Sequence, residues 1–131
     1  MVVIMSEGSS GISRVVAQLR TNDLARTIRF YTEFLGFEVE FRYEDFYAGV
    51  RAGNSIVHLK LDDGDDPSID YVKQRGHFHL YLETPDAAAA AAALEAKGIE
   101  LRDKLHETAW GTKEFVVEDD QGHTIYFGQR L

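Results

Sequence analysis

The sequence predicts an α+β protein built from two βαβββ modules, and three observations carry that prediction. Strand and helix patterns follow the same order in both halves of the 131 residues. The helix starts, Asp23 and Asp86, stand 63 positions apart, and the glycine stops, Gly36 and Gly98, stand 62 apart. Between the halves, residues 62–76 form an acidic stretch with Gly and Pro, the composition of a surface linker. The predicted boundaries are a flexible N-terminus over 1–12, a first module over 13–61, the linker over 62–76 and a second module over 77–131, all in one compact domain.

The first strand is expected in SRVVAQLR (13–20), where Val15, Ala17 and Leu19 alternate with Val16, Gln18 and Arg20. A helix follows over 22–35, with Leu24, Ile28, Tyr31 and Leu35 on one face and Gly36 as its stop. Strands FEVEFRY, FYAGVRA and SIVHLKL complete the module, the last two joined at Gly53-Asn54. The second module opens with strand GHFHLYLE. Thr84 as N-cap and Pro85 at the first helical position then predict a helix ending at Gly98, whose seven alanines favour helix and allow close packing on a sheet. Strands IELRDKL, TKEFVVE and HTIYFGQ follow, the last pair turning around Asp120-Gln121-Gly122.

Period-2 alternation assigns the faces. Val57, Leu59, Leu61, Phe78, Leu80, Leu82, Ile125 and Phe127 are expected beneath the helices. Gln18, His58, Lys60, His77, His79, Tyr81, Glu83, Thr124 and Tyr126 are expected on the opposite, more polar face. Two sheets of this kind can curve together around a ligand cavity.

Composition narrows the possible functions. The absence of cysteine excludes disulfides, thiolate metal sites and cysteine nucleophiles, and fits a cytoplasmic setting. With 14 Lys plus Arg against 22 Asp plus Glu, the net charge of −8 disfavours nucleic acid and anionic membranes and favours cationic ligands. No run approaches the roughly 18 apolar residues of a membrane span. Nucleophile elbows, phosphate-cradling loops and diagnostic carboxylate pairs are absent from the sequence, so no catalytic residue is assigned.

The phrases DLARTIRFYTEFLGFEV and FVVEDDQGHTIYFGQ, within paired βαβββ modules, resemble those of the vicinal oxygen chelate superfamily, which includes glyoxalases, extradiol dioxygenases and bleomycin-resistance proteins. The resemblance covers nearly everything after residue 13 and implies the glyoxalase/bleomycin-resistance fold. Metal-dependent members carry ligands on four strands, at positions that here fall on Val16, His58, His79 and Tyr126. This is a poor ligand set, so the expectation is no metal cofactor; the alternative is a divalent metal held by His58 and His79. YEDFYAGVRAG and HETAWGTKEFVVEDDQGH most resemble segments of the bleomycin-resistance proteins, although Thr-Ala replaces that group's Gln-Pro before Trp110-Gly111, and His79 replaces an aromatic.

The resemblance implies a metal-independent protein that binds and sequesters a bulky, partly cationic aromatic molecule, rather than an enzyme. It also implies a homodimer with ligand crevices at the subunit interface. Trp110 and Phe46 would stack the ligand, while His58, His79, Tyr81 and Tyr126 would hydrogen-bond it. Glu114, with Asp45, Glu83 and Glu118, would offset its positive charge. Only one of Phe46 and Tyr47 can face the cavity if both lie on a strand, and the resemblance favours Phe46. Two alternatives stay open: a metal-dependent lyase, isomerase or dioxygenase of the same superfamily, and a binding module for another metabolite. Arg51, Lys60 and Lys113 leave room for an anionic ligand in the latter case.

Overall fold

The structure is a computed structural model and describes residues 11–131. Residues 1–10 of the expected flexible N-terminus lie outside the described residues. The first module comprises β1 (Ala17–Thr21), α1 (Leu24–Arg29) with a π-helical continuation (Phe30–Phe34), β2 (Glu38–Tyr43), β3 (Tyr47–Ala52) and β4 (Ser55–Leu61). After α2 (Pro67–Gln74), the second comprises β5 (Leu80–Glu83), α3 (Ala87–Ala96), β6 (Asp103–Glu107), β7 (Thr112–Glu118) and β8 (Thr124–Arg130). Two open four-stranded sheets result, ordered β1-β4-β3-β2 and β5-β8-β7-β6. In each, the leading strand lies parallel to the last and the other neighbours are antiparallel. This is the predicted α+β fold of two βαβββ modules.

Asp23 caps α1 by accepting from the Arg26 amide at 3.1 Å. The helix then widens, and the Leu35 amide reaches back five residues to the Phe30 carbonyl. The Thr32 hydroxyl bonds the Ile28 carbonyl at 2.9 Å, competing with the regular ladder. The wider turn buries both Phe30 and Tyr31. Leu24, Ile28 and Tyr31 face the core as expected, with Leu35 at its margin. Helix α3 begins at the Asp86 of the repeat spacing and not behind a Thr84 cap. Its N-cap is Asp86, which accepts from the Ala89 amide at 3.0 Å. The Thr84 amide instead continues the strand pairing to the Gly128 carbonyl, leaving Pro85 ahead of the cap.

The acidic linker is not merely a connection. Asp66 and Pro67 supply the N-cap and first turn of α2, which has no fully buried residue. Side chains fasten this helix to the second module: Lys73 pairs with Glu118 at 3.2 Å, and the Arg102 guanidinium donates to the Lys73 carbonyl at 3.0 Å. The His77 amide still bonds back to the Val72 carbonyl, so the chain becomes a strand only at Leu80. The alternation expected from residue 77 therefore fails at its start. Phe78 is not beneath a helix; it is 48 % exposed and packs against Tyr81 and Tyr126. Thr124, expected on the open face, is buried and accepts from Arg102 at 3.0 Å.

One apolar core joins the helix-covered faces of both sheets. Ala87 and Ala91 let α3 sit close, while Leu59, Phe115 and Ile125 are fully enclosed, each worth roughly 1.5–3 kcal/mol of burial. Polar groups also bridge the modules inside this core. Tyr31 donates to Asp119 Oδ2 at 2.8 Å, and Thr27 donates to Asp120 Oδ2 at 2.7 Å. Asp119 in turn receives the backbone amides of Gln121 and His123 and lies 2.8 Å from His123 Nδ1.

Candidate functional site: two open aromatic sheet faces

With the helices on one side, each sheet leaves its other face open. On the first sheet the register aligns Gln18, His58, Gly49 and Phe41 across four strands. Gly49 makes this row possible, because a Cβ there would stand 2.4 Å from Phe41 Cε1. The Phe41 ring lies over that bare backbone, stacked beside Tyr47 at 6.1 Å and edge-on to His58 at 5.3 Å. The Gln18 amide donates to the Tyr47 oxygen at 3.0 Å, and Tyr47 Oη lies 2.9 Å from His58 Nδ1. Phe46 sits in the turn before β3, 45 % exposed, with Lys60 Nζ 6.0 Å from its ring centre.

The second face repeats the device with different residues. Tyr81 pairs with Tyr126, while Glu83, Gly128 and Glu114 form the next row. A Cβ on Gly128 would come within 1.8 Å of Tyr81 Oη. Tyr81 uses that space to cross β8 and donate to Glu114 Oε2 at 2.7 Å. The Thr112 hydroxyl donates to the same oxygen at 2.9 Å. Burial, then the hydrogen bond and charge of Glu114, push the Tyr81 phenol up to about 12. Phe78 and Tyr126, 5.2 Å apart, extend the aromatic surface.

The seven predicted ligand-binding residues therefore separate. Phe46 and His58 lie on the first sheet's side; Tyr81, Glu114 and Tyr126 lie on the second. Trp110 stands at the turn between β6 and β7, 74 % exposed. His79 is engaged elsewhere. Its Nδ1 accepts from the Thr124 amide at 3.1 Å, its Nε2 lies 3.3 Å from Ser68 Oγ on α2, and its ring meets His123 edge-on at 4.8 Å. Burial, reinforced by the His123 imidazole, lowers its pKa. Sequence reasoning passed over Phe41 and Thr112, preferred Phe46 to Tyr47 for the open face and assigned Phe78 to the helix-covered side. Between the edges of β1 and β5 runs a cleft of about 550 Å³, lined by Val15, Ala17, Ile56, Leu80, Tyr81 and Glu83 among others.

This architecture has known counterparts. The family model of the Glyoxalase/Bleomycin resistance protein/Dioxygenase superfamily matches residues 11–127. The chain belongs to this superfamily. Among solved structures, it superposes on the bleomycin-binding protein of Streptomyces verticillus, crystallised with copper(II)-bleomycin, with a TM-score of 0.65, 21 % identity and 97 % of each chain covered. The lactoylglutathione lyase of Agrobacterium tumefaciens gives 0.71 at 17 % identity, covering 90 % of this chain and 94 % of that one. TnmS3, an antibiotic binding protein from Streptomyces sp. CB03234, gives 0.68 at 24 % identity, covering 92 % and 98 %. Comparison with curated proteins gives no match. At these identities the superpositions speak for the fold, which serves both binding and lyase members.

The superfamily's metal positions can be tested against the residues present. Val16 carries no donor atom, and both ring nitrogens of His79 are already engaged. Among the described residues, His, Cys, Asp and Glu do not gather in a group of three or more suited to a metal ion. This donor set does not fit a divalent ion.

Proposed function

We propose that this superfamily member binds and sequesters a bulky, partly cationic aromatic molecule without a metal, as bleomycin-resistance proteins do. The observation that carries the reading is the pair of open faces. Each combines aromatic rings with oriented hydroxyls, and the four positions that would hold a metal carry a valine, a tyrosine, a histidine bonded to α2 and a histidine bonded to Tyr47. Flat ligands gain from such surfaces through stacking, while a few fixed polar groups set their orientation.

The assembly belongs to the same proposal. Two copies related by a two-fold axis place the first-sheet face of one over the second-sheet face of the other. That closes two equivalent crevices and covers exposed rings such as Phe41, Phe46 and Phe78. Trp110 supplies a further ring at the rim. A cysteine-free chain of this kind works in the cytoplasm, where it holds its ligand away from its target.

Trp110, the single tryptophan, provides the test. Metal-stripped protein should bind bleomycin-type glycopeptides or flat aromatic cations with micromolar or tighter affinity, read by tryptophan quenching and calorimetry. If nothing in such a panel binds, and stoichiometric metal instead confers lyase or dioxygenase activity, the proposal fails.

A further inference from the structure

We propose that Glu114 is the anchor for a cationic nitrogen of the ligand, a protonated amine or a guanidinium, and thereby selects among aromatic molecules; this rests on the binding reading above. Glu114 is only 5 % exposed, yet its two hydrogen bonds, from Tyr81 and Thr112, come from neutral hydroxyls and both fall on Oε2. Among the described residues it forms no ion pair. His106, its partner across the β6–β7 ladder, turns its Nδ1 to the Lys104 carbonyl at 2.7 Å, and Arg130 lies 3.8 Å from Glu83.

The other oxygen is the informative one. The described side-chain atoms that are both sealed from solvent and unpartnered are Asp120 Oδ1 and His123 Nε2. Glu114 Oε1 has no hydrogen-bond partner and is not among them, so it keeps contact with the outside. A largely buried carboxylate with one oxygen fixed by two hydroxyls and the other left free is held in one orientation without a counter-charge. An incoming N–H cation supplies both the missing charge and a charge-assisted hydrogen bond. Glu83, two strands away in the same row, adds a second carboxylate, and Tyr81 ties the anchor to the aromatic surface of Phe78 and Tyr126. An anionic ligand would meet this face with like charge.

Two probes of the same ring shape separate the outcomes: 9-aminoacridine, a cation at neutral pH, and acridine, its neutral counterpart. Wild-type protein should prefer the cation by about tenfold or more, as one charge-assisted hydrogen bond allows. Glu114→Gln should erase most of that preference by weakening 9-aminoacridine far more than acridine. Glu114→Asp, which keeps the charge, should retain part of it. Equal binding of both probes to wild type overturns the anchor and leaves aromatic binding standing. So does an equal loss of both probes in Glu114→Gln, which would mark a structural role. Failure of wild type to bind either probe overturns the anchor, and the aromatic-binding reading falls with it when the glycopeptide panel above also fails to bind.

Discussion

Tyr31 and Tyr81 are both phenols that resist ionisation, and they answer to different carboxylates. For Tyr31 burial dominates, followed by the charge and hydrogen bond of Asp119. Tyr31→Phe removes a donor from a buried carboxylate, so it should cost about 1–3 kcal/mol in denaturant unfolding. For Tyr81, burial is joined by Glu114, and the folded phenol titrates near 12 against an ordinary value of 10.0. A folded pKa above the unfolded one gives stability that is complete below the unfolded value and is lost as pH rises through the folded one. The Tyr81 contribution is therefore intact up to about pH 10 and disappears toward pH 12. Glu114→Gln should bring the alkaline phenolate transition of this residue part-way back toward the ordinary range, with the burial effect remaining. An unchanged absorbance titration would show that Glu114 is not a cause.

Among the elements, β8 shows how backbone clears the way for chemistry. Gly128→Ala would place a methyl group where the Tyr81 hydroxyl now lies, forcing the ring off Glu114. About 1–3 kcal/mol of stability should go with it, and the Tyr81 titration should fall as it does in Glu114→Gln. Unfolding measurements and the same absorbance titration check both outcomes. The modules, their helices and the turns at Gly53-Asn54 and Asp120-Gln121-Gly122 were legible in the sequence, because periodicity and turn chemistry are local. The open-face placement of His58, Tyr81 and Tyr126 followed from the same alternation. What escaped was set by non-local geometry. A bulge between Val39 and Phe41 changes which residues of β2 share a face, so Phe41 reaches Gly49. Phe46 lies in a turn, where strand alternation does not apply, and Tyr47 takes the place beside His58. His79 falls outside β5 because α2 delays the strand. The Asp66-Pro67 start of α2 was visible as a signature, but a helix that buries no residue fully carries little apolar periodicity to confirm it.

At the scale of the whole molecule, the proposed two-fold assembly makes a plain prediction. Light scattering should give twice the chain mass at micromolar concentration, and Phe41→Glu, which puts a charge on the open face, should shift it toward the monomer. A monomer at every concentration would mean that each face works alone. The junction within one chain leads to a different consequence. Tyr31 and Thr27 of the first half reach Asp119 and Asp120 in the closing hairpin of the second, and the Asn22 amide bonds the Gln121 side chain at 3.1 Å. By strand register, Val50 faces Val57 as Val117 faces Ile125, so Asp119 corresponds to Ala52 and His123 to Ser55. The halves share a plan but no longer share this fastening. A chimera made of two first halves would turn its Tyr31 phenols toward an alanine methyl, and the halves can no longer trade places.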